Sequence, residues 1–259
     1  MAELLIEDLH YAVRFLPREL RKLMADYRLM VAGGFLRSNV AKEEVQDIDL
    51  FGPTKEILHD AAERLAAKWG VKVVETRNAI TVAAKGRKPV QFITRWLFTC
   101  PEEVIKSFDF TVAQAMAWPE TTKGEGDPFN WRSLCSDRFY SDLAAKRLTY
   151  TGPARNEDAG GSMLRVTKFL RRGYTISPAS LGAVMARMAN RVNWSHPMVA
   201  DETGIAKVFT GLLRQVDPLL AIDGIAMDTE EDARFKEIKE ALRPSAFRDD
   251  SIPDVEQSS

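Results

Sequence analysis

The chain has 259 residues, 45% of them hydrophobic and 28% charged, so it has ordinary globular composition and enough length to bury one large core or two small ones. Its formal net charge of −1 excludes a global basic attraction to nucleic acid and leaves any such binding to local patches. Cys100 and Cys135 stand far apart, the N-terminus is acidic and no apolar run reaches the length of a membrane span, so disulfide, cysteine-zinc, secreted and membrane-spanning classes are set aside and a soluble, cytoplasmic protein is expected.

In chain order, Leu5, Leu9, Val13, Phe15 and Leu16 predict a first helix, and Pro17 opens a second, "PRELRKLMADY". "LMVAGGFL" reads as a short strand that breaks at Gly33 and Gly34, with a helical turn around "FLRSN". "DIDLFG" reads as the next strand. Ile57, Leu58, Ala61, Leu65 and Trp69 give "TKEILHDAAERLAAKWG" a helical stripe, stopped by Gly70. Three strand-like runs follow, "VKVVET", "AITVAA" and "PVQFITRW", separated by turns at Arg77-Asn78 and "KGRK". "PEEVIKS" is a short helix, "FDFTVAQAMAW" is strand-like at its start, and residues 119 to 131 form a polar loop. From about residue 137 the periodicity is helical. The expected architecture is α+β: a head over 1–150 with a small mixed sheet flanked by helices, an all-helical body over 151–243, and a disordered acidic tail over 244–259.

"VAGGFLRSNVAKEEVQDIDLFG", residues 31–52, concentrates the chemistry. Strand side chains alternate, so Asp47 and Asp49 share one face while Ile48 and Leu50 point into the core. Two carboxylates side by side repel and call for a cation. Hard oxygen donors in that arrangement suit magnesium, in one or two ions shared with substrate phosphates. Gly33 and Gly34 let backbone N–H groups approach phosphate closely, and Arg37 adds a planar cationic fork. Taken singly, the same pieces also read as a plain Gly-Gly turn and the solvated face of an edge strand.

With those residues in place, the sequence resembles the polymerase-β-like nucleotidyltransferase superfamily, and more narrowly the head of CCA-adding enzymes and bacterial poly(A) polymerases. "AGGFLRS…DIDLF" is similar to their "GGxxRD…DID" core, and "FDFTVAQAMA" to "RRDFTxNAxA". "SDLAAKRLTYTG" is similar to "DLxxxxLRxxG", and "SMLRVTKFLRRGYTI" to "RMLRAxRFAxxLGFxI". The four blocks keep the family's order over about residues 31–176.

The resemblance implies a magnesium-dependent enzyme that moves a nucleoside monophosphate from a triphosphate to an acceptor hydroxyl, with a tRNA-like RNA 3′ end as the favoured acceptor. It implies metal binding by Asp47 and Asp49, and triphosphate contacts by Gly33, Gly34 and Arg37. Asp109 becomes a ribose contact or further carboxylate, and Arg165 and Lys168 become base or phosphate contacts. From spacing alone, Arg165, Lys168 and Arg172 share a helix face, with Leu164, Phe169 and Leu170 turned to the core.

Departures accompany the resemblance. Ser107 and Phe108 replace the paired arginines, Ala113 replaces the asparagine, and Gln91 stands where some superfamily members carry a third carboxylate. The "EDxxR" motif survives only as Glu157-Asp158, with Ser162 in the arginine's place and Gly160-Gly161 expected to loosen the start of that helix. Two rivals share the residues: transfer to a protein or small-molecule acceptor, and a catalytically silent nucleotide- or RNA-binding module.

Overall fold

Leu9, Ala12 and Val13 bury one face of α1 (Ile6–Arg14) in the computed structural model of the protein, which describes residues 1–76, 78–120, 130–153 and 159–214. Pro17 then caps α2 (Arg18–Tyr27), which buries Leu20, Leu23 and Met24. The predicted stripe holds for Leu9, Val13 and Leu16, but Leu5 and Phe15 are 59% and 51% exposed. They stand at the two ends of α1, as its N-cap and C-cap residues, outside the buried face of the helix.

Seven strands follow in one mixed sheet: β1 (Met30–Ala32), β2 (Ile48–Phe51), β3 (Val73–Glu75), β4 (Ala79–Val82), β5 (Val90–Ile93), β6 (Ala115–Glu120) and β7 (Asn130–Cys135). Their order is β3-β4-β5-β2-β1-β6-β7, with β2 and β5 parallel and every other neighbour antiparallel. Helices α3 (Gly34–Ala41), α4 (Lys55–Trp69), α5 (Pro101–Ser107) and α6 (Phe139–Ala144) flank the sheet. Thr54 starts α4 by accepting the Ile57 N–H, and Gly70, at φ 67°, ends it in the left-handed conformation. Leu58, Leu65, Leu50, Val31 and Phe92 are all fully buried, and their removal from water is the main stabilising term of this unit.

Three predicted features differ. "FDFTVAQAMAW" is not a strand at its start: a 3-10 turn covers Thr111–Ala113, and β6 begins at Ala115. Both ends of the predicted polar loop are strand instead, because β6 runs to Glu120 and β7 begins at Asn130, paired from Ala115↔Cys135 through Glu120↔Asn130, and residues 121–129 lie outside the described residues. The segment after α6 is also extended in part, with Phe110 bridged to Tyr150 and the Thr111 N–H bonded to the Thr149 carbonyl at 3.1 Å.

The chain divides at Pro153 into two units. In the second, α7 (Ala159–Arg171), α8 (Pro178–Ala189) and α9 (Glu202–Arg214) enclose a core of Ala159, Met188, Val192, Val199, Val208 and Leu212. Leu164 and Phe169 are buried as predicted, whereas Leu170 is 47% exposed because it falls on the outer face of α7. Gly160 and Gly161 do not loosen the helix: both are buried within α7. A Cβ on Gly160 would lie 2.2 Å from the Leu212 carbonyl oxygen, so the missing side chain is what lets α7 approach α9. Gly160→Ala is therefore expected to cost about 2 kcal/mol by overpacking, read as a lower denaturant midpoint. An unchanged midpoint would mean that α9 shifts aside without cost. Glu157-Asp158, the part of the predicted helical body beyond residue 214 and the 244–259 tail lie outside the described residues.

Candidate active site

Antiparallel pairing brings the end of β1 beside the start of β2. The register Met30↔Phe51 and Val31↔Leu50, continued one step, sets Ala32 level with Asp49. The Gly33-Gly34 turn therefore leaves β1 alongside the Asp47–Asp49 segment. β6 joins the same end, because the Gly33 N–H donates to the Ala115 carbonyl at 2.9 Å. One end of three adjacent strands thus gathers the glycine turn, the aspartate pair and the Asp109–Gln114 segment.

Burial along β2 alternates as the pattern requires. Ile48 and Leu50 are 2% and 0% exposed, while Asp47 and Asp49 are both partly exposed. Asp49 sits in a polar cross-strand row, paired in register with Gln91 on β5, which pairs in turn with Thr81 on β4. Gln91 supplies an amide where a third carboxylate would add charge. Among the described residues, no three His, Cys, Asp or Glu side chains come together as a metal-holding group. Two partly exposed carboxylates on one strand face still fit magnesium, which takes one or two protein carboxylates and completes its shell with water and substrate phosphate.

The two glycines are not equivalent. Gly33 has φ 73°, and a Cβ there would meet the Phe108 ring at 2.9 Å. A Cβ on Gly34, the first residue of α3, would meet nothing nearer than Arg37 Nη2 at 3.9 Å among the described residues. Arg37 itself is 7% exposed; its Nη2 donates to Ser38 Oγ at 3.0 Å and its Nε lies 3.9 Å from a Glu43 carboxylate oxygen. Its guanidinium thus ties α3 to the loop that leads into β2.

Asp109 is 1% exposed. Its carbonyl accepts the Thr151 N–H at 2.9 Å, so the main chain beside this carboxylate is fixed by pairing with residues 149–151. Arg165 and Lys168 belong to the second unit, where both lie partly buried on α7. Ser162 is fully buried in the same helix.

Three residues that the pattern reading passed over shape this end of the sheet. Gln114 donates through Nε2 to the Phe108 carbonyl at 3.1 Å and to Thr151 Oγ1 at 3.0 Å. Thr111 Oγ1 donates to Asp142 at 2.6 Å. Asp142 is fully buried and also receives Arg138 at 3.2 Å and Arg147 at 2.7 Å. Its burial pushes the carboxyl pKa up, but the hydrogen bonds from Thr111, Arg147 and Thr149 and the Arg138 charge outweigh that, and the group sits below its ordinary value. A visible signal existed for Asp142: it shares a helix face with Phe139 and Leu143, and a carboxylate on an apolar face needs partners. The Cys135 thiol is also buried, which pushes its pKa up to about 11.

A separate groove of about 480 Å³ lies on the Ile48 side of β2, lined by residues that include Tyr11, Phe35, Asn39 and Lys42. Asp47 and Asp49 do not line it. The alternation along β2 puts it on the opposite face from the carboxylates.

The family model described as "Gabija anti-defense 2 family protein" matches residues 6–146. No curated protein matches the chain. Among solved structures, the Thermotoga maritima CCA-adding enzyme complexed with tRNA matches with a TM-score of 0.50 at 16% identity, covering 89% of this chain and 54% of that one. A CCA-adding enzyme in complex with CTP matches with a TM-score of 0.50 at 16% identity, with the same 89% and 54% coverage. A CCA-adding enzyme in an apo form matches with a TM-score of 0.51 at 17% identity, again over 89% and 54%. The fold is that of a nucleotidyltransferase head, and the chain spans about half the length of those structures.

Proposed function

We propose, for a chain that belongs to the Gabija anti-defense 2 family, that it is a magnesium-dependent nucleotidyltransferase and counters Gabija defence through that transfer. The observation that carries this reading is the Gly33-Gly34 turn set beside the partly exposed Asp47 and Asp49 at one end of β1 and β2. Asp47 and Asp49 would hold magnesium, which when bound neutralises triphosphate charge and favours the attacking form of the acceptor hydroxyl. Gly34, at the start of α3, offers backbone N–H groups to the phosphates. Arg37 holds the α3–β2 connection in place and adds positive potential beside the turn. In the reaction the acceptor oxygen bonds to the α-phosphorus as the bond to the β-phosphate oxygen breaks. Pyrophosphate leaves, and the hydroxyl proton passes to a carboxylate of the pair or to water. Asp109 faces the ribose, and Arg165 and Lys168 serve the base or the acceptor.

For the acceptor, the family description favours a hydroxyl on a component of the Gabija system. An RNA 3′ end is the second reading, favoured by a fold neighbour solved with tRNA. The test is incubation of the full chain with magnesium and each α-labelled triphosphate. One arm supplies total RNA, the other an extract containing the Gabija proteins. Protease-sensitive label on a Gabija protein supports the first acceptor, and ribonuclease-sensitive label supports the second. Absence of label from every arm would overturn nucleotidyl transfer and leave a silent binding module.

A further inference from the structure

We infer that the Phe108 ring is a stacking wall for the base of a bound nucleoside triphosphate, so that the two glycines serve different partners: Gly33 seats the ring, and Gly34 stays open to phosphate. The inference rests on the nucleotidyl-transfer reading above. Three observations carry it.

First, the ring is placed at the turn. A side chain at Gly33 would lie 2.9 Å and 3.1 Å from two Phe108 ring carbons, so only a residue without a Cβ leaves the ring this position. The same construction at Gly34 meets nothing closer than 3.9 Å among the described residues, which leaves that side of the turn accessible to an anion.

Second, the ring flanks the carboxylates. Phe108 stands edge-to-face on Phe51, with centroids 6.0 Å apart and planes at 79°. Phe51 follows Asp49 by two positions on β2 and so shares its face of the sheet. A ring that touches both Phe51 and Gly33 therefore runs alongside Asp49. Phe98 backs Phe51 from a further side, with centroids 6.0 Å apart.

Third, the residue is held at its backbone and is not fully buried. The Phe108 N–H donates to the Ile105 carbonyl at 3.2 Å, and its own carbonyl accepts from Gln114 Nε2 at 3.1 Å and Thr151 Oγ1 at 3.2 Å. Phe108 as a whole remains partly exposed. A flat apolar surface, fixed in advance beside an anion-accepting turn and a carboxylate pair, gains nothing from a phosphate. It gains contact area and π-stacking from a planar base, at little ordering cost.

Stacking reads the area of a base and not its hydrogen-bonding edge. Purine triphosphates are accordingly expected to bind alike, and more tightly than pyrimidine triphosphates.

The test is calorimetric titration of the full chain, in magnesium, with ATP and separately with inorganic tripolyphosphate. Phe108→Leu should weaken ATP binding about tenfold and leave tripolyphosphate binding unchanged. Equal loss for both ligands would mean that the ring merely shapes the glycine turn and would overturn the inference, as would no loss for either. Phe108→Trp provides a second reading that does not depend on the leucine variant folding. Its added indole emission should be quenched by ATP and not by tripolyphosphate, and absence of that quenching counts against the stacking wall. Wild-type protein that binds tripolyphosphate as tightly as ATP overturns the stacking wall alone. Wild-type protein that binds neither overturns the transfer reading as well.

Discussion

Asp47→Asn and Asp49→Asn proteins are expected to fold normally and to transfer nucleotide at least about a hundredfold more slowly than wild type, because losing even a hydrogen-bond partner of a metal ligand already costs ten- to a hundredfold. Each substitution keeps the shape of the side chain and removes one negative charge from a donor set of two. Gln91, level with Asp49 on β5, offers only an amide oxygen. Folding should be spared, because both positions are partly exposed and the strand is held by Ile48 and Leu50 on its other face. Removing one of two neighbouring charges also relieves repulsion, so the melting temperature without magnesium should stay level or rise. Labelled-nucleotide transfer measured beside a thermal melt separates the two effects. A variant that keeps wild-type rates with a wild-type melt would overturn the proposed metal-binding role of Asp47 and Asp49.

The parts of this site that local pattern exposes are those in which neighbouring residues carry the signal. β2 is such a case, since two aspartates alternate with two fully apolar residues. The glycine turn is another, since it interrupts an apolar run. β7 shows the opposite. Its inward positions are Trp131, Ser133 and Cys135, and two small side chains on the buried face erase the alternation that identifies a strand. The strand exists because its partner β6 is strongly apolar, and because Ser133 Oγ is satisfied by the Leu4 N–H at 3.0 Å. Nothing within six residues of Ser133 announces that bond.

Glycines were the harder residues to read. Gly160 looks like a helix breaker in one dimension and is a helix–helix contact in three. Gly33 was legible as a phosphate approach, yet the closest neighbour to its missing side chain is Phe108, 75 positions away in the chain. An absent Cβ says that something comes close, and only the fold says what. Arg37 shows the same limit: its place after the glycines reads as a phosphate fork, and only the fold adds that its guanidinium is buried beside Ser38 and Glu43.

Asp142→Ala should lower the stability of the first unit by about 3 kcal/mol, a shift of roughly 6–12 °C in melting temperature. The carboxylate is fully buried and receives Thr111, Arg138 and Arg147, so its removal strands a buried hydroxyl donor and two cations at once. Arg138 and Arg147 are 54% and 44% exposed, which lets water recover part of their cost and places the estimate at the low end for a broken buried pair. Asp142→Asn keeps acceptor capacity for Thr111 and should fall between the two.

The pH dependence has a definite sign. Because the folded carboxyl titrates below its ordinary value of 3.8, its contribution is complete above that value and fades as pH falls through the lower folded pKa. Wild-type protein should therefore lose stability on acidification below about pH 4 more steeply than Asp142→Asn, while the two differ by a constant amount at neutral pH. Denaturant midpoints taken from pH 3 to 7 test both the size and the slope. An alanine variant that melts within about 2 °C of wild type would mean that the network is ornamental. In that case the 108–111 segment, which carries Phe108 and Asp109 to the end of the sheet, would be held by its pairing with residues 149–151 and by the Ile105 and Gln114 bonds to Phe108.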